Sequence, residues 1–141
     1  MTDFDAPRLA FHHVGLSVPD LEAAIAWYGE MLGFIEEHRF ALPPADAKVA
    51  FVRRGDLRVE LFEVNGAAAL PDDRRYPNRD LRTHGTKHVA FRVDDLDTFL
   101  AEMERRGADV AMIVPRALGR ACFLRDCAGN LVEFLEDQVL P

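Results

Sequence analysis

An α+β chain of two β-α-β-β-β modules is predicted by three observations. The stretch His88-Val89-Ala90-Phe91-Arg92-Val93-Asp94-Asp95-Leu96-Asp97 echoes His13-Val14-Gly15-Leu16-Ser17-Val18-Pro19-Asp20-Leu21-Glu22 at a displacement of 75 positions. Val132-Glu133-Phe134-Leu135-Glu136 echoes Val59-Glu60-Leu61-Phe62-Glu63 at a displacement of 73. Between the echoes each half carries one amphipathic helical segment and then short alternating runs. The near equality of the two offsets makes chance similarity a poor account. It also pairs the first strand of each half with its last.

The elements follow in order. Phe11 to Val18 alternates and ends at Pro19, as a strand does. His13, Gly15 and Ser17 point one way, and Val14, Leu16 and Val18 the other. Asp20 is a suitable N-cap, with Glu22 in the first turn where the helix dipole favours a carboxylate. Leu21, Ile25, Tyr28 and Leu32 recur at helical spacing, and Gly33 stops the helix. Strands are expected near Phe34 to Phe40, Lys48 to Val52 and Leu57 to Val64, with Arg54-Gly55-Asp56 as a turn. Module one therefore spans about 11–64. The segment 65–85, rich in Ala, Pro, Asp and Arg, reads as a connection and not a packed element, and a loop of that length is often functional. Module two spans about 86–137. Its strand is Lys87 to Val93, and Asp94 or Asp95 caps a helix with Leu96, Phe99, Leu100 and Met103 on its apolar face. Gly107 ends that helix, and strands follow near Val110 to Val114, Arg120 to Arg125 and Asn130 to Glu136.

At 141 residues, 49% of them hydrophobic, one domain with a proper core is expected. No apolar run is long enough to span a bilayer, so no membrane partner is expected. Met1 to Ala10 lacks the pattern of a signal peptide, and a cytoplasmic location is expected. A net charge of −7 argues against a nucleic-acid partner, which needs a basic face. The arginine clusters at 53–54, 74–75 and 79–82 read as solvated surface. Cys122 and Cys127 make no metal-binding spacing and read as free thiols.

Each half supplies a histidine on its first strand and a glutamate on its last: His13 with Glu60, then His88 with Glu133, separated by 47 and 45 residues. Strand alternation puts all four on the face that their apolar neighbours leave free. Two imidazoles and two carboxylates suit one borderline divalent ion such as Zn, Ni, Co, Mn or Fe(II). Four ligands leave positions open for water or substrate, as catalytic sites require. Further along the same strands, Ser17, Phe62, Arg92 and Leu135 should line a small-molecule substrate. A salt bridge to a neighbouring acid is the competing role for Arg92. His12 alternates to the helix side and reads as packing. His38 and His84 stay outside the ligand set.

At these residues the chain resembles the vicinal oxygen chelate superfamily, the glyoxalase/bleomycin-resistance/extradiol-dioxygenase fold, over about residues 11–137. The resemblance rests on the two histidine stretches, Trp27-Tyr28 to Leu32-Gly33, Val59-Glu60-Leu61, and Arg125-Asp126 to Gly129-Asn130-Leu131-Val132-Glu133. It implies paired modules forming a curved mixed sheet around one divalent metal, with ligands carried over onto His13, Glu60, His88 and Glu133. It also implies a homodimer, sometimes with modules paired between chains. The ligand set resembles that of glyoxalase I and related lyases and isomerases, whose shared chemistry is proton transfer next to a carbonyl through a metal-bound enediolate. Glu133 is the implied base and Glu60 the second choice. The chain lacks glyoxalase I's usual aromatic-Asn-Trp-Gly and Gly-x-Gly-His segments. It lacks too the glutamine that methylmalonyl-CoA epimerases generally carry where Glu60 stands. An extradiol-type ring-cleaving dioxygenase is the first alternative, which Glu60 would crowd. A non-catalytic small-molecule or antibiotic-binding resistance protein is the second, and it would not need four ligands.

Overall fold

The computed structural model describes residues 7–137. Module one contains β1 (Val14–Ser17), α1 (Leu21–Leu32), β2 (Ile35–Leu42), β3 (Ala47–Arg54) and β4 (Leu57–Val64). Its sheet has the order β1-β4-β3-β2, with β1 parallel to β4 and the other pairs antiparallel. A linker with one short helix, α2 (Pro77–Asp80), leads to module two: β5 (Val89–Arg92), α3 (Leu96–Arg105), β6 (Asp109–Ile113), β7 (Ala121–Arg125) and β8 (Leu131–Leu135). The second sheet repeats the first in order and sense, as β5-β8-β7-β6. The repeated β-α-β-β-β order and its mixed strand pairing are thus present, with one four-stranded sheet for each module. The first strand begins at Val14, because the described residues before it, Phe11 included, have no strand partner, and Phe11 stands exposed.

The helices α1 and α3 are each tied down twice at the start. Asp20 accepts from the Ala23 N–H at 2.9 Å, and Asp95, not Asp94, accepts from Thr98 at 2.7 Å. The first helical N–H is also taken by a glutamate at the end of the module's last strand. Leu21 donates to Glu63 Oε1 at 3.1 Å and Leu96 to Glu136 Oε1 at 2.7 Å. That repeated contact locks helix to sheet, and so fixes where the preceding strand ends. Gly33, at φ 73°, ends α1 in the left-handed conformation that glycine adopts without a Cβ clash.

The apolar faces of both sheets bury one continuous cluster that includes Tyr28, Val52, Val59, Leu61, Leu100, Met103, Leu124, Val132 and Phe134. Phe34 of the first module meets Phe91 of the second, ring centroids 5.9 Å apart. A polar bolt crosses the same boundary. The fully buried Tyr28 donates its hydroxyl to Asp126 Oδ2 at 3.0 Å. Asp126 also accepts from the N–H groups of Ala128 and Asn130, both at 2.9 Å, and from the Asn130 amide at 3.1 Å. Burial pushes the Tyr28 hydroxyl well above its ordinary range and raises the Asp126 carboxyl against those donors. Asp126→Ala strands four donors at once and should destabilise the fold by about 3 kcal/mol, read as a lower urea midpoint at unchanged m-value. Tyr28→Phe removes only one donor and should cost about 1 kcal/mol.

The linker departs from its sequence reading. It is packed, because Asp80 is buried, only 1% exposed, among cations. Arg74 Nε and Lys87 Nζ each lie 3.1 Å from its Oδ1, and Lys87 also donates to the Asp80 carbonyl at 2.7 Å and to the Thr83 carbonyl. Among the described residues nothing bonds its Oδ2. Arg125 Nε donates to the Arg75 carbonyl at 2.7 Å, and the guanidinium groups of Arg79 and Arg125 lie 4.5 and 5.0 Å from the centre of the Tyr76 ring. Arg74 is therefore not a free solvated charge. A run of Pro and charge looks like loop until one acid finds two bases. Asp80→Ala should release this clasp and speed tryptic cleavage at Arg79, Arg82 and Lys87 about tenfold or more, measured by limited digestion. No helix among the described residues is long and apolar enough to cross a membrane.

Candidate metal centre

In module one the parallel register sets Gly15 beside Glu60 and Ser17 beside Phe62. His13 precedes β1 on the same face, and its Nε2 lies 2.9 Å from Glu60 Oε2. Module two reproduces this arrangement. Ala90 sits beside Glu133, Arg92 beside Leu135, and His88 Nε2 lies 2.8 Å from Glu133 Oε2. Two donor atoms each about 2.1 Å from one ion, at right angles, are about 3 Å apart. The two nitrogen–oxygen pairs fit neighbouring ligands of a divalent cation. All four side chains are partly open to solution, the histidines 32% and 28% exposed and the glutamates 16% and 20%.

The two pairs do not meet in one group. Among the described residues no three His, Cys, Asp or Glu side chains converge closely enough to hold an ion. The chain carries two candidate half-sites, each a histidine–glutamate pair on the face turned away from its core.

Two residues that the sequence reading missed complete each half. Phe51 pairs with Glu60 across β3 and β4, and Phe123 pairs with Glu133 across β7 and β8. Phe51 stands edge-on to His13 and Phe123 edge-on to His88, each at 5.0 Å between centroids. Each imidazole is thus held between a carboxylate and a ring edge. The signal was present in the alternation of β3 and β7, but it needed the register, which an apolar run does not disclose. Gly15 also has a role here. A Cβ on it would lie 3.2 Å from the Phe62 ring and 3.9 Å from Glu60 Oε2.

Of the expected lining residues, Phe62 and Leu135 are half-buried beside their glutamate rows, and Ser17 is exposed. Arg92 bonds Asp137 Oδ2 at 2.6 Å, the salt-bridge role. His38 lies in β2 beside Phe40, and His84 is exposed in the linker. His12 is exposed, with no helix against it, and lies by His13. Its expected packing role fails because the chain has not yet entered the sheet at that point. Cys122 is buried and Cys127 exposed, both free. Burial pushes both thiols up to about 11, with the charges of Glu133 and Asp126 adding to it. A cavity of about 950 Å³ lies beyond β1 and is lined by Ser17, Lys48, Asn65 and Arg75 among others, with none of the four candidate ligands.

Comparison with known proteins agrees with this architecture. Methylmalonyl-CoA epimerase from Mus musculus is 30% identical over 129 residues, covering 86% of this chain and 70% of the relative. The glyoxalase family protein from Enterococcus faecalis superposes with a TM-score of 0.74 at 22% identity, covering 90% of this chain and 97% of that one. A mutant of the fosfomycin resistance protein FosX from Listeria monocytogenes, solved with Mn(II) and 1S,2S-dihydroxypropylphosphonic acid, superposes at 0.67 with 18% identity, covering 92% and 94%. The profile described as glyoxalase/bleomycin resistance protein/dioxygenase superfamily matches residues 12–123, a span holding three of the four half-site residues. With its duplicated module and a histidine–glutamate pair in each half, the chain belongs to the glyoxalase/bleomycin resistance protein/dioxygenase superfamily.

Proposed function

We propose that the chain is a divalent-metal-dependent isomerase or lyase that moves a proton next to a carbonyl on a small oxygenated substrate. The observation that carries this reading is the recurrence of one His–Glu pair, at 2.9 and 2.8 Å, in both modules. Similarity to an epimerase over most of the chain supports the reaction class. His13, Glu60, His88 and Glu133 would hold the ion. When bound, the cation supplies a Lewis acid for the negative charge that develops on a substrate oxygen.

The chain's own residues supply the remainder. Glu133 takes the proton from the carbon acid and returns it to the same or the adjacent carbon, with Glu60 as the second candidate. Phe51 and Phe123 hold the imidazoles in place, and Phe62 and Leu135 give the reacting region an apolar wall. Arg92 is engaged with Asp137 and would recognise a substrate carboxylate only by exchanging that partner.

We further propose that a homodimer completes the site, half-site one of one chain facing half-site two of the other. Two half-sites per chain and a two-fold axis give two whole sites per dimer. Metal analysis of dialysed protein, with deuterium wash-in from D₂O into α-hydroxy-ketone, α-ketoaldehyde–thiol and acyl-CoA substrates, tests the function. One ion per chain and exchange in one class are expected. No bound metal, together with exchange untouched by Glu133→Gln, would overturn the reading.

A further inference from the structure

His12 has no counterpart in the second half. Lys87 occupies the matching place and sends its ammonium to the carbonyls of Asp80 and Thr83. His12 instead turns to its neighbour. Its Nδ1 lies 2.6 Å from Nδ1 of His13, with the ring planes at 81°. Phe51 stands edge-on to His13 as well, at 5.0 Å, and Nε2 of His13 faces Glu60. Both ring nitrogens of His13 and one ring face thus have a named neighbour.

Two ring nitrogens at that separation share one proton, so one ring donates and the other accepts. A histidine that ligates a cation must present an unprotonated nitrogen, and the hydrogen bond at its other nitrogen selects which one that is. When a cation takes the Nε2 lone pair of His13 beside Glu60, the ring's proton belongs on Nδ1. We propose that His12 is a positioning residue that accepts the Nδ1–H of His13 and holds that imidazole with Nε2 free for the metal. The proposal rests on the metal reading above. It makes the two half-sites unequal, since no hydrogen bond to the other ring nitrogen of His88 is found among the described residues.

The experiment uses the full chain and Zn(II) as the probe, with affinity from chelator competition. His12→Leu should weaken Zn(II) binding about 10–100-fold, the usual effect of removing a ligand's hydrogen-bond partner. His12→Gln offers an amide oxygen as acceptor and should return affinity to within about threefold of wild type. The melting temperature should move little, because His12 is exposed. Nitrogen NMR of the Zn(II)-loaded protein should show His13 protonated at Nδ1.

The failures are distinguishable. If wild type and His13→Ala bind Zn(II) equally, the metal reading falls and this proposal with it. If His13→Ala loses the ion and His12→Leu matches wild type, only the role of His12 is overturned. If glutamine fails to rescue and the spectrum shows His12 itself bound to zinc, His12 is a ligand and not a positioning residue.

Discussion

Glu133→Gln is expected to slow deuterium wash-in about 10²–10⁴-fold, the range that a positioned general base contributes. The substitution preserves size and leaves one oxygen to meet His88, now 2.8 Å away, so the fold and most metal binding should persist. What disappears is the ability to take a proton. Glu60→Gln is the informative partner. An amide at position 60 keeps one oxygen to meet His13, 2.9 Å away, and leaves proton transfer by Glu133 in place. Glu60→Gln should therefore cost less than about tenfold, leaving a gap of at least tenfold between the two variants. The measurement is the single-substrate exchange rate by NMR, with metal content determined on the same samples. Equal losses would mean that both carboxylates act only as ligands. A larger loss at Glu60 would exchange the two roles.

Much of this site was legible in the sequence because two periods agreed. Strand alternation assigned a face to each histidine and glutamate, and the repeat offsets joined first strand to last. The structure places both pairs within hydrogen-bond reach. What alternation cannot give is which strand lies beside which residue. Phe51 and Phe123 became visible only once the antiparallel register set them opposite Glu60 and Glu133. His12 was misread because alternation was extended past the end of a strand that begins at Val14. The linker was misread for a related reason. Its order comes from a buried carboxylate meeting Arg74 and Lys87, a contact between residues six and seven positions apart that no hydrophobic pattern records. The sequence also offered four candidate ligands, and only the family resemblance, with modules sometimes paired between chains, pointed to two separated pairs, since chain order holds no information about which copy of a module faces which.

Mixing two inactive variants should restore activity, and this follows from the proposed homodimer in which half-site one of one chain faces half-site two of the other. His13→Ala disables half-site one, and His88→Ala disables half-site two. Each variant alone forms dimers in which every site lacks a histidine, so both should bind metal weakly and turn over little. In a dimer of one chain of each kind, the two lesions fall in the same site. The other site combines half-site one of the His88→Ala chain with half-site two of the His13→Ala chain, and is intact. Random exchange makes half of the dimers mixed, and each mixed dimer has one good site in two, giving about a quarter of wild-type activity. Dimers purified through two different tags should reach about half, with one tightly held ion in place of two. If each site were instead assembled within one chain, every site in the mixture would still lack a histidine. Activity would then stay at the level of the parents, and the mixed dimer would hold no tight ion. The outcome thus separates a site shared across a two-fold axis from one closed by movement of the two modules within a chain.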